Sequence, residues 1–598
     1  MCGIIGYVGN KLAVPVLIDS LNYLSYRGYD SAGISFIEDE TIKTIKKQGK
    51  VNVLAKEVEN KLYLTNIGIG HTRWATHGKP SDYNSHPHES FDGEFSIVHN
   101  GIIENYEELM EFILDKGIEI SSETDSEIIA HLISLESGDL LERIPKVLKK
   151  LKGSYALLIL DKKSEDKIYF AKLQNPLIVA NGENENFISS DYLAFINYTN
   201  KIHDLSDGDY GFISKDEIKI FDKDNESVNL EWKIVSATLI CNDLDNYTHY
   251  MEKEIYYIPN ALKNTLTEYQ LSSNALNQIS DDIFKNCRCI HIVACGTALN
   301  AGLILKYLIE ENLGLFVNSY FASEFRYNNI KITKADICIF ISQSGETADT
   351  IEALKKAKQS GAITISITNN NTSTIFNLAD YSLQTYAGQE IAVASTKAYN
   401  AQLLVCYIIY NKLLELFKDK IFLNDKLNEI NELIPKVTSF MEKLNVDKLA
   451  NLVKTKSDVY FIGRGQDYFT AIEGALKLKE ITYIHAESLS AGELKHGTLS
   501  LITEDSIVIA FATQNKLLDK LLNTLFEVKT RGAFVVLITP FNVKNKVIDE
   551  LILIPTVEEE YETMFSIIPI QLLSYKTAVC KKLNPDKPRN LAKSVTVE

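Results

Sequence analysis

The sequence predicts an α+β domain of packed antiparallel sheets, followed by two copies of an α/β domain with parallel sheets. Three observations lead there. Up to about residue 235 the β-forming runs are only four to seven residues long and bounded by turn residues, with few helical stretches between them. After about residue 250 the texture changes to long helical stretches alternating with short runs that are apolar almost throughout, the pattern of strands covered on both faces. This second half also repeats itself: CIHIVACGTALNAG (289–302) matches DVYFIGRGQDYFTA (458–471), and QSGAITISIT (359–368) matches KTRGAFVVLIT (529–539). Gly296 thereby pairs with Gly465 and Gly361 with Gly532, at offsets of 169 and 171, which implies a duplicated domain.

Along the chain, the strands expected first are Gly3 to Val8, Ala32 to Ile37, Phe95 to His99, Tyr155 to Leu160 and Lys167 to Ala171. A helix from Asn105 to Asp115 is stopped by Gly117, and another from Glu123 to Leu135 carries Ile128, Ile129 and Leu132 at helical spacing. The polar, unpatterned stretch CNDLDNYTHY (241–250) reads as a linker. Beyond it the expected strands are Cys289 to Val293, Asp336 to Ile341, Ala362 to Thr368, Val459 to Ile462, Ser506 to Phe511 and Phe534 to Ile538. A boundary between the repeats falls near 418–427, after a long helix. The chain thus divides into 2–240, the linker 241–250, 251–425, 426–584 and a tail of 585–598.

At 598 residues, with 45% hydrophobic and 24% charged residues, the chain is neither disordered nor fibrous and is too long for one core. Its net charge of −17 removes the electrostatic driving force for binding nucleic acid. The most apolar window, Leu403 to Phe417, is broken by Asn411 and Lys412, so no membrane span is expected. Neither a cationic region nor a long apolar stretch follows Met1, and the expected location is the cytoplasm. Eight scattered cysteines suit reduced thiols, and Cys287 with Cys289 lacks a second pair at metal spacing; no metal or organic cofactor is expected. Arginine is scarce, 8 against 54 lysines, so each one is expected to meet a geometry that lysine cannot.

Cys2 follows the initiator Met, whose removal would leave a cysteine with a free α-amine. With a pKa of about 7.7 to 8.0, that amine can take the thiol proton from within the same residue. Alone, Cys2 reads more simply as a small residue opening a strand. Its company is more informative: Tyr26-Arg27-Gly28-Tyr29-Asp30-Ser31-Ala32-Gly33, His71-Thr72-Arg73-Trp74-Ala75-Thr76-His77-Gly78, His99-Asn100-Gly101 and Glu123-Thr124-Asp125. On these motifs the first half resembles the class II glutamine amidotransferases, N-terminal nucleophile hydrolases with stacked antiparallel sheets between helices. The resemblance implies that Cys2 is the nucleophile and that Arg73 and Asp125 bind the α-carboxylate and α-ammonium of glutamine. It assigns the oxyanion to the Asn100 side-chain amide and the Gly101 N–H, and makes Trp74 a lid, with Thr76, His77 and Arg27 around the pocket.

Ser342-Gln343-Ser344-Gly345-Glu346-Thr347 follows the strand ending at Ile341 and opens a helix running to Lys358. Hydroxyls and backbone N–H groups at a helix N-terminus make a phosphate cradle, or equally a Ser-rich cap. Ala294-Cys295-Gly296-Thr297 leaves a neighbouring strand end, the place where doubly wound folds bind ligands. Together with AGQEIAVASTKA (387–398), these loops resemble the sugar isomerase (SIS) module. The whole chain resembles the glutamine:fructose-6-phosphate aminotransferase family. That resemblance implies sugar-phosphate binding by Thr297, Ser342, Gln343, Ser344, Thr347, Val393 and Ser395, with Ala298 standing where the family usually has Ser.

Glu473, Lys477 and Glu480 share one helix face at i, i+4 and i+7, as an exposed ion-pair ladder would and as proton-transfer groups would. By the resemblance, Glu480 is the base that moves a proton between C1 and C2, Lys477 is its partner, and His496 opens the sugar ring. The tail lacks periodicity and by pattern alone would fray. The resemblance instead makes Lys593 the amine that forms a Schiff base with the ketose, so it is expected to be desolvated or beside another cation. The expected function is glutamine-dependent synthesis of glucosamine 6-phosphate from fructose 6-phosphate, with ammonia passed inside a homodimer or larger homo-oligomer. The alternative is an SIS-type sugar-phosphate binding or sensing protein that carries a glutaminase domain.

Overall fold

Alternation along the strand Gly3–Gly9 sends its side chains into two different cores. Ile4 and Val8 pack between two sheets with Ile69, Val98, Leu158 and Phe170. Ile5 and Tyr7 face the other way, onto Leu17 and Leu21 of the helix Ala13–Leu24. The computed structural model describes residues 2–25, 27–74, 77–235, 244–419 and 421–596. It has two units, Met1–Cys241 with Ser594–Glu598, and Asn242–Lys593.

In the first unit an eight-stranded and a six-stranded sheet, all pairs antiparallel, are stacked face to face. The helices Tyr106–Asp115, Glu127–Leu135 and Leu140–Leu148 cover the outer face of the six-stranded sheet, giving the expected layers of helix, sheet, sheet and helix. Pairing of Gly3–Gly9 with Ile67–Arg73 matches Gly3 to Thr72, which brings Cys2 beside Arg73 and Trp74. The strand Phe95–Ile103 carries Asn100 and Gly101. The helix expected from Glu123 begins only at Glu127, because residues 123–126 are held in an irregular loop in which the Asp125 carboxylate accepts the Ile103 N–H.

The second unit contains two five-stranded parallel sheets with one topology. The first runs Val317–Phe321, Cys289–Ala294, Asp336–Ser342, Ile363–Thr368, Tyr381–Gln384, and the second His485–Ser490, Asp458–Gly463, Ile507–Phe511, Phe534–Thr539, Glu550–Leu553. Both glycine pairs of the sequence repeat have positive φ, 52° and 56° for Gly296 and Gly465, 80° and 92° for Gly361 and Gly532. The duplication therefore extends to backbone conformation. The apolar window at 403–417 lies in the helix Lys397–Phe417, which packs in a core shared by both repeats with Ile304, Phe461 and Ile570. Among the described residues, no helix is long and apolar enough to cross a membrane.

Of the expected linker, residues 241–243 lie outside the described residues, and 250 opens the helix Tyr250–Tyr256. The break between the helices Lys397–Phe417 and Leu423–Lys443 falls inside the stretch 418–427 where the boundary was expected, and residues 423–427 already belong to the second helix. The tail is tied down where its pattern suggested fraying. The Asp586 carboxylate accepts the N–H groups of Met251 (2.7 Å) and Tyr250 (3.0 Å), its carbonyl accepts Val393 N–H (3.0 Å), and the Arg589 guanidinium lies 4.2 Å from the centre of the Tyr483 ring.

Candidate active sites

The first unit gathers Cys2, Arg73, Trp74, Asn100, Gly101 and Asp125 around one pocket, with Thr596 of the same unit also on its wall. Cys2 Sγ accepts the Trp74 N–H at 3.2 Å. Burial pushes the Cys2 thiol up, against the opposing pull of the Trp74 N–H and the Arg73 charge, so ionising it calls for a base. Asn100 Nδ2 donates to the Cys2 carbonyl at 2.9 Å, which sets this amide next to the nucleophile. Gly101 has φ of 147°, and a Cβ there would lie 2.0 Å from the Ser154 carbonyl oxygen; only glycine fits.

Arg73 is buried and donates through Nη2 to the carbonyls of His77 and, at 3.4 Å, Gly78; its Nη1 is buried and has no hydrogen-bond partner among the described residues. Asp125 accepts from Ile103 N–H at 2.8 Å and from Ser126 Oγ at 3.2 Å. Arg73 and Asp125 make no ion pair with each other among the described residues, and both line the pocket, where the Asp125 charge acts on Arg73. The Trp74 ring meets Tyr29 edge-on at 5.6 Å. His77 contributes its carbonyl to Arg73 while its ring lies 6.2 Å from Tyr106, so it acts on the site through its backbone. Arg27 pairs with Asp191 at 2.7 Å. Thr76 lies outside the described residues. Unforeseen from the sequence is a stack of buried imidazoles next to the pocket, His71 on His86 at 4.1 Å; burial pushes His71 down to about 3 and keeps it neutral.

In the second unit the loops after Ala294 and Ser342 leave adjacent parallel strands on either side of the point where strand order reverses. Ser342 Oγ is 2.9 Å from Thr347 Oγ1 and accepts Gly345 N–H at 3.1 Å, and Ser344 Oγ accepts Glu346 N–H at 3.2 Å. The Gln343 carbonyl accepts Asn369 N–H at 3.2 Å. Glu346, an unwelcome charge beside an anion, is turned to the next helix, where its carboxylate accepts from Thr374 N and Oγ1, each at 2.8 Å. The crevice is thus lined by hydroxyls.

Thr297 connects this crevice to the second repeat. Its Oγ1 donates to Glu473 at 3.2 Å, and Asn300 Nδ2 donates to the same carboxylate at 2.7 Å. Lys477, 0% exposed, lies 3.5 Å from Glu473 and 2.7 Å from Glu480. Glu473 and Lys477, whose spacing would equally suit an exposed ion-pair ladder, are fully buried, and Glu480 joins them from a partly exposed position. Burial pushes Glu473 up to about 7, while Glu480 and Glu473 hold Lys477 above its ordinary value despite burial. His496 ends the exposed turn Glu493–His496 and makes no hydrogen bond to Lys477, Glu480 or Lys593 among the described residues.

The Lys593 side chain is 5% exposed; its Nζ donates to Glu390 and, at 3.5 Å, to Ser395 Oγ. Glu390 also accepts Ser395 Oγ (2.9 Å), Thr396 N–H (2.9 Å) and Ala398 N–H (3.0 Å). Val393 faces the tail through its N–H bond to Asp586. Sequence reasoning missed Glu390, Glu254 and Lys397, the charged groups around Lys593. Glu390 and Lys397 stand inside the 387–398 motif, where a buried acid amid apolar residues was the available signal.

Models of two families match this chain, the SIS domain at residues 283–412 and 451–581 and the glutamine amidotransferase domain at 71–197. A glutamine–fructose-6-phosphate aminotransferase (isomerizing) of Clostridium tetani is 45% identical over 611 residues, and one of Aquifex aeolicus 42% identical over 607, each alignment covering 100% of both chains. The solved C-terminal domain of the glucosamine-fructose-6-phosphate aminotransferase from Francisella tularensis matches with a TM-score of 0.54 at 35% identity, over 57% of this chain and 99% of that one. A glutamine amidotransferase domain and a duplicated SIS domain, joined in one chain with full-length relatives at this identity, place the protein in the glutamine–fructose-6-phosphate aminotransferase (isomerizing) family.

Proposed function

We propose that the protein makes glucosamine 6-phosphate from glutamine and fructose 6-phosphate. Cys2 attacks the γ-amide of glutamine, whose α-carboxylate and α-ammonium are taken by Arg73 and Asp125. The Asn100 amide and Gly101 N–H receive the developing oxyanion. Water then releases glutamate. In the second unit the hydroxyls of Ser342, Ser344 and Thr347, with Gln343, hold the phosphate, while Val393 and Ser395 close the other side of the sugar. His496 opens the ring; its exposed place on a turn suits action on the sugar of a neighbouring chain in a homo-oligomer. Lys593 forms the imine at C2, ammonia displaces it, and Glu480 moves a proton between C1 and C2 with Lys477 holding the oxygen.

One observation carries this reading. Lys593 is buried on Glu390, whose charge also acts on Lys477, so the amine for the imine and the pair for the isomerisation share one charged neighbourhood. Incubation with glutamine and fructose 6-phosphate should give glutamate and amino sugar in equal amounts, and glutamate without amino sugar would favour the sensing alternative. Lys593→Ala should keep glutamine hydrolysis and remove synthesis.

A further inference from the structure

We infer that Glu390 is the base that takes the Nζ proton of Lys593 before the amine attacks C2. The inference rests on the reading of Lys593 as the Schiff-base lysine. An ammonium has no electron pair to give, and the Lys593 side chain is too buried for bulk water to collect its proton. Glu390 is the carboxylate in direct contact with Nζ, and its own side chain is 0% exposed. Hydrogen bonds from Ser395 Oγ, Thr396 N–H and Ala398 N–H hold it rigidly at the start of the helix Lys397–Phe417.

The transfer balances. An N–H bond of Lys593 breaks, its electron pair stays on nitrogen, and the proton moves to a Glu390 oxygen, leaving a neutral amine beside a neutral acid. Two buried charges vanish together, which a dry site favours. The amine adds to C2, a nitrogen proton passes to the alkoxide, and the resulting hydroxyl leaves as water with the proton returned by Glu390. The product is a protonated imine beside a restored carboxylate.

Two further buried charged groups complete the cluster. Glu254 accepts the N–H groups of Ile391 (2.5 Å) and Ala392 (3.3 Å), and is raised to about 8 by burial and by the Glu390 charge. The Lys397 Nζ lies 4.8 Å from the centre of the Tyr257 ring, and burial pulls this amine down. Glu390 is thus the group placed to receive the Lys593 proton, since it alone of these three touches Nζ among the described residues.

The test is borohydride trapping of the imine on the full-length enzyme with fructose 6-phosphate and no glutamine, read by mass of the labelled peptide. Glu390→Gln keeps the shape but cannot accept the proton. Trapping at pH 7 should fall by about 100-fold or more and then recover by about tenfold per pH unit as hydroxide replaces the carboxylate. Glutamine hydrolysis and melting temperature, measured alongside, report the fold. A Glu390→Gln enzyme that traps at the wild-type rate overturns the inference, and so does a slow rate that is flat with pH, which would make Glu390 a positioning residue. Label on a lysine other than Lys593 in the wild type overturns the Schiff-base reading itself.

Discussion

Glu473→Gln tests whether the chain beneath the sugar site runs on one buried charge pair or on three ionised groups. Glu473 is 0% exposed, receives the Thr297 hydroxyl and the Asn300 amide, and faces Lys477, Glu480 and Tyr399. Burial raises it from the ordinary 4.5 to about 7, a gap worth about 3 kcal/mol. Between those values the folded state keeps a proton that the unfolded chain has already released. The stabilisation from this group is therefore complete below about pH 4.5 and is lost as the pH climbs to about 7. Lys477 titrates far above this window and stays paired with Glu480, which is nearer to it than Glu473 is. Glutamine imitates the protonated acid, and the Asn300 amide can rotate to meet it. We expect the variant to melt with the wild type at pH 5 and about 4 °C above it at pH 8, given the entropy of unfolding a unit of this size. The assay is scanning calorimetry of the full chain at both values. Parallel pH profiles, or a variant several degrees less stable at pH 8, would show that Glu473 is ionised and needed so.

Three further outcomes are expected. Cys2→Ala should abolish glutamine hydrolysis while hexose-phosphate isomerisation persists, checked by assaying the two reactions separately; loss of both would contradict separable sites. Gly101→Ala places a Cβ 2.0 Å from the Ser154 carbonyl and displaces the N–H proposed as an oxyanion donor, so glutamine hydrolysis should drop by about 10²–10³ while hexose-phosphate isomerisation continues. Asp586→Ala removes the acceptor of two N–H groups at the start of the helix Tyr250–Tyr256, at a cost of about 1–3 kcal/mol. Limited proteolysis should then clip the tail, and synthesis should suffer more than glutamine hydrolysis.

How far the fold was legible depended on burial. The central strands Cys289–Ala294, Asp336–Ser342 and Ile507–Phe511 are buried on both faces and read as runs that are apolar almost throughout. The edge strands Val317–Phe321, Tyr381–Gln384, His485–Ser490 and Glu550–Leu553 were not, because a half-exposed strand carries the polar residues of a loop. The site followed the same logic. Cys2, Arg73 and Lys593 stand in motifs or at a resemblance, but Glu254 is 137 residues from the Ile391 N–H that it caps, and Asn300 is 173 from the carboxylate it holds. Partners at such separations meet only in three dimensions, and local pattern says nothing of them. The Glu473–Lys477–Glu480 face shows the limit in reverse, since spacing put the three together but could not tell a solvated ladder from a buried chain.

Duplication explains why two like folds serve one sugar. In the first repeat the helix opened by Thr347 begins at a loop of hydroxyls, in which Gly345 turns at φ of 69°. In the second, the corresponding crevice is filled from within. Asp467 accepts Thr513 N–H (2.9 Å) and Oγ1 (2.7 Å), and Gln514 Oε1 accepts Gln466 N–H (3.0 Å) while its Nε2 reaches Tyr307 OH (3.0 Å). A phosphate there would meet a buried carboxylate and a helix N-terminus already capped. The same helix, Gln466–Thr482, carries Glu473 and Lys477 on the turns beyond, where they meet Thr297 and Asn300 of the first repeat. That helix thus turns its charged groups toward the first repeat, and Gln514→Gly, which frees the Gln466 N–H without touching the first repeat, should leave the affinity for fructose 6-phosphate, measured by titration calorimetry, unchanged.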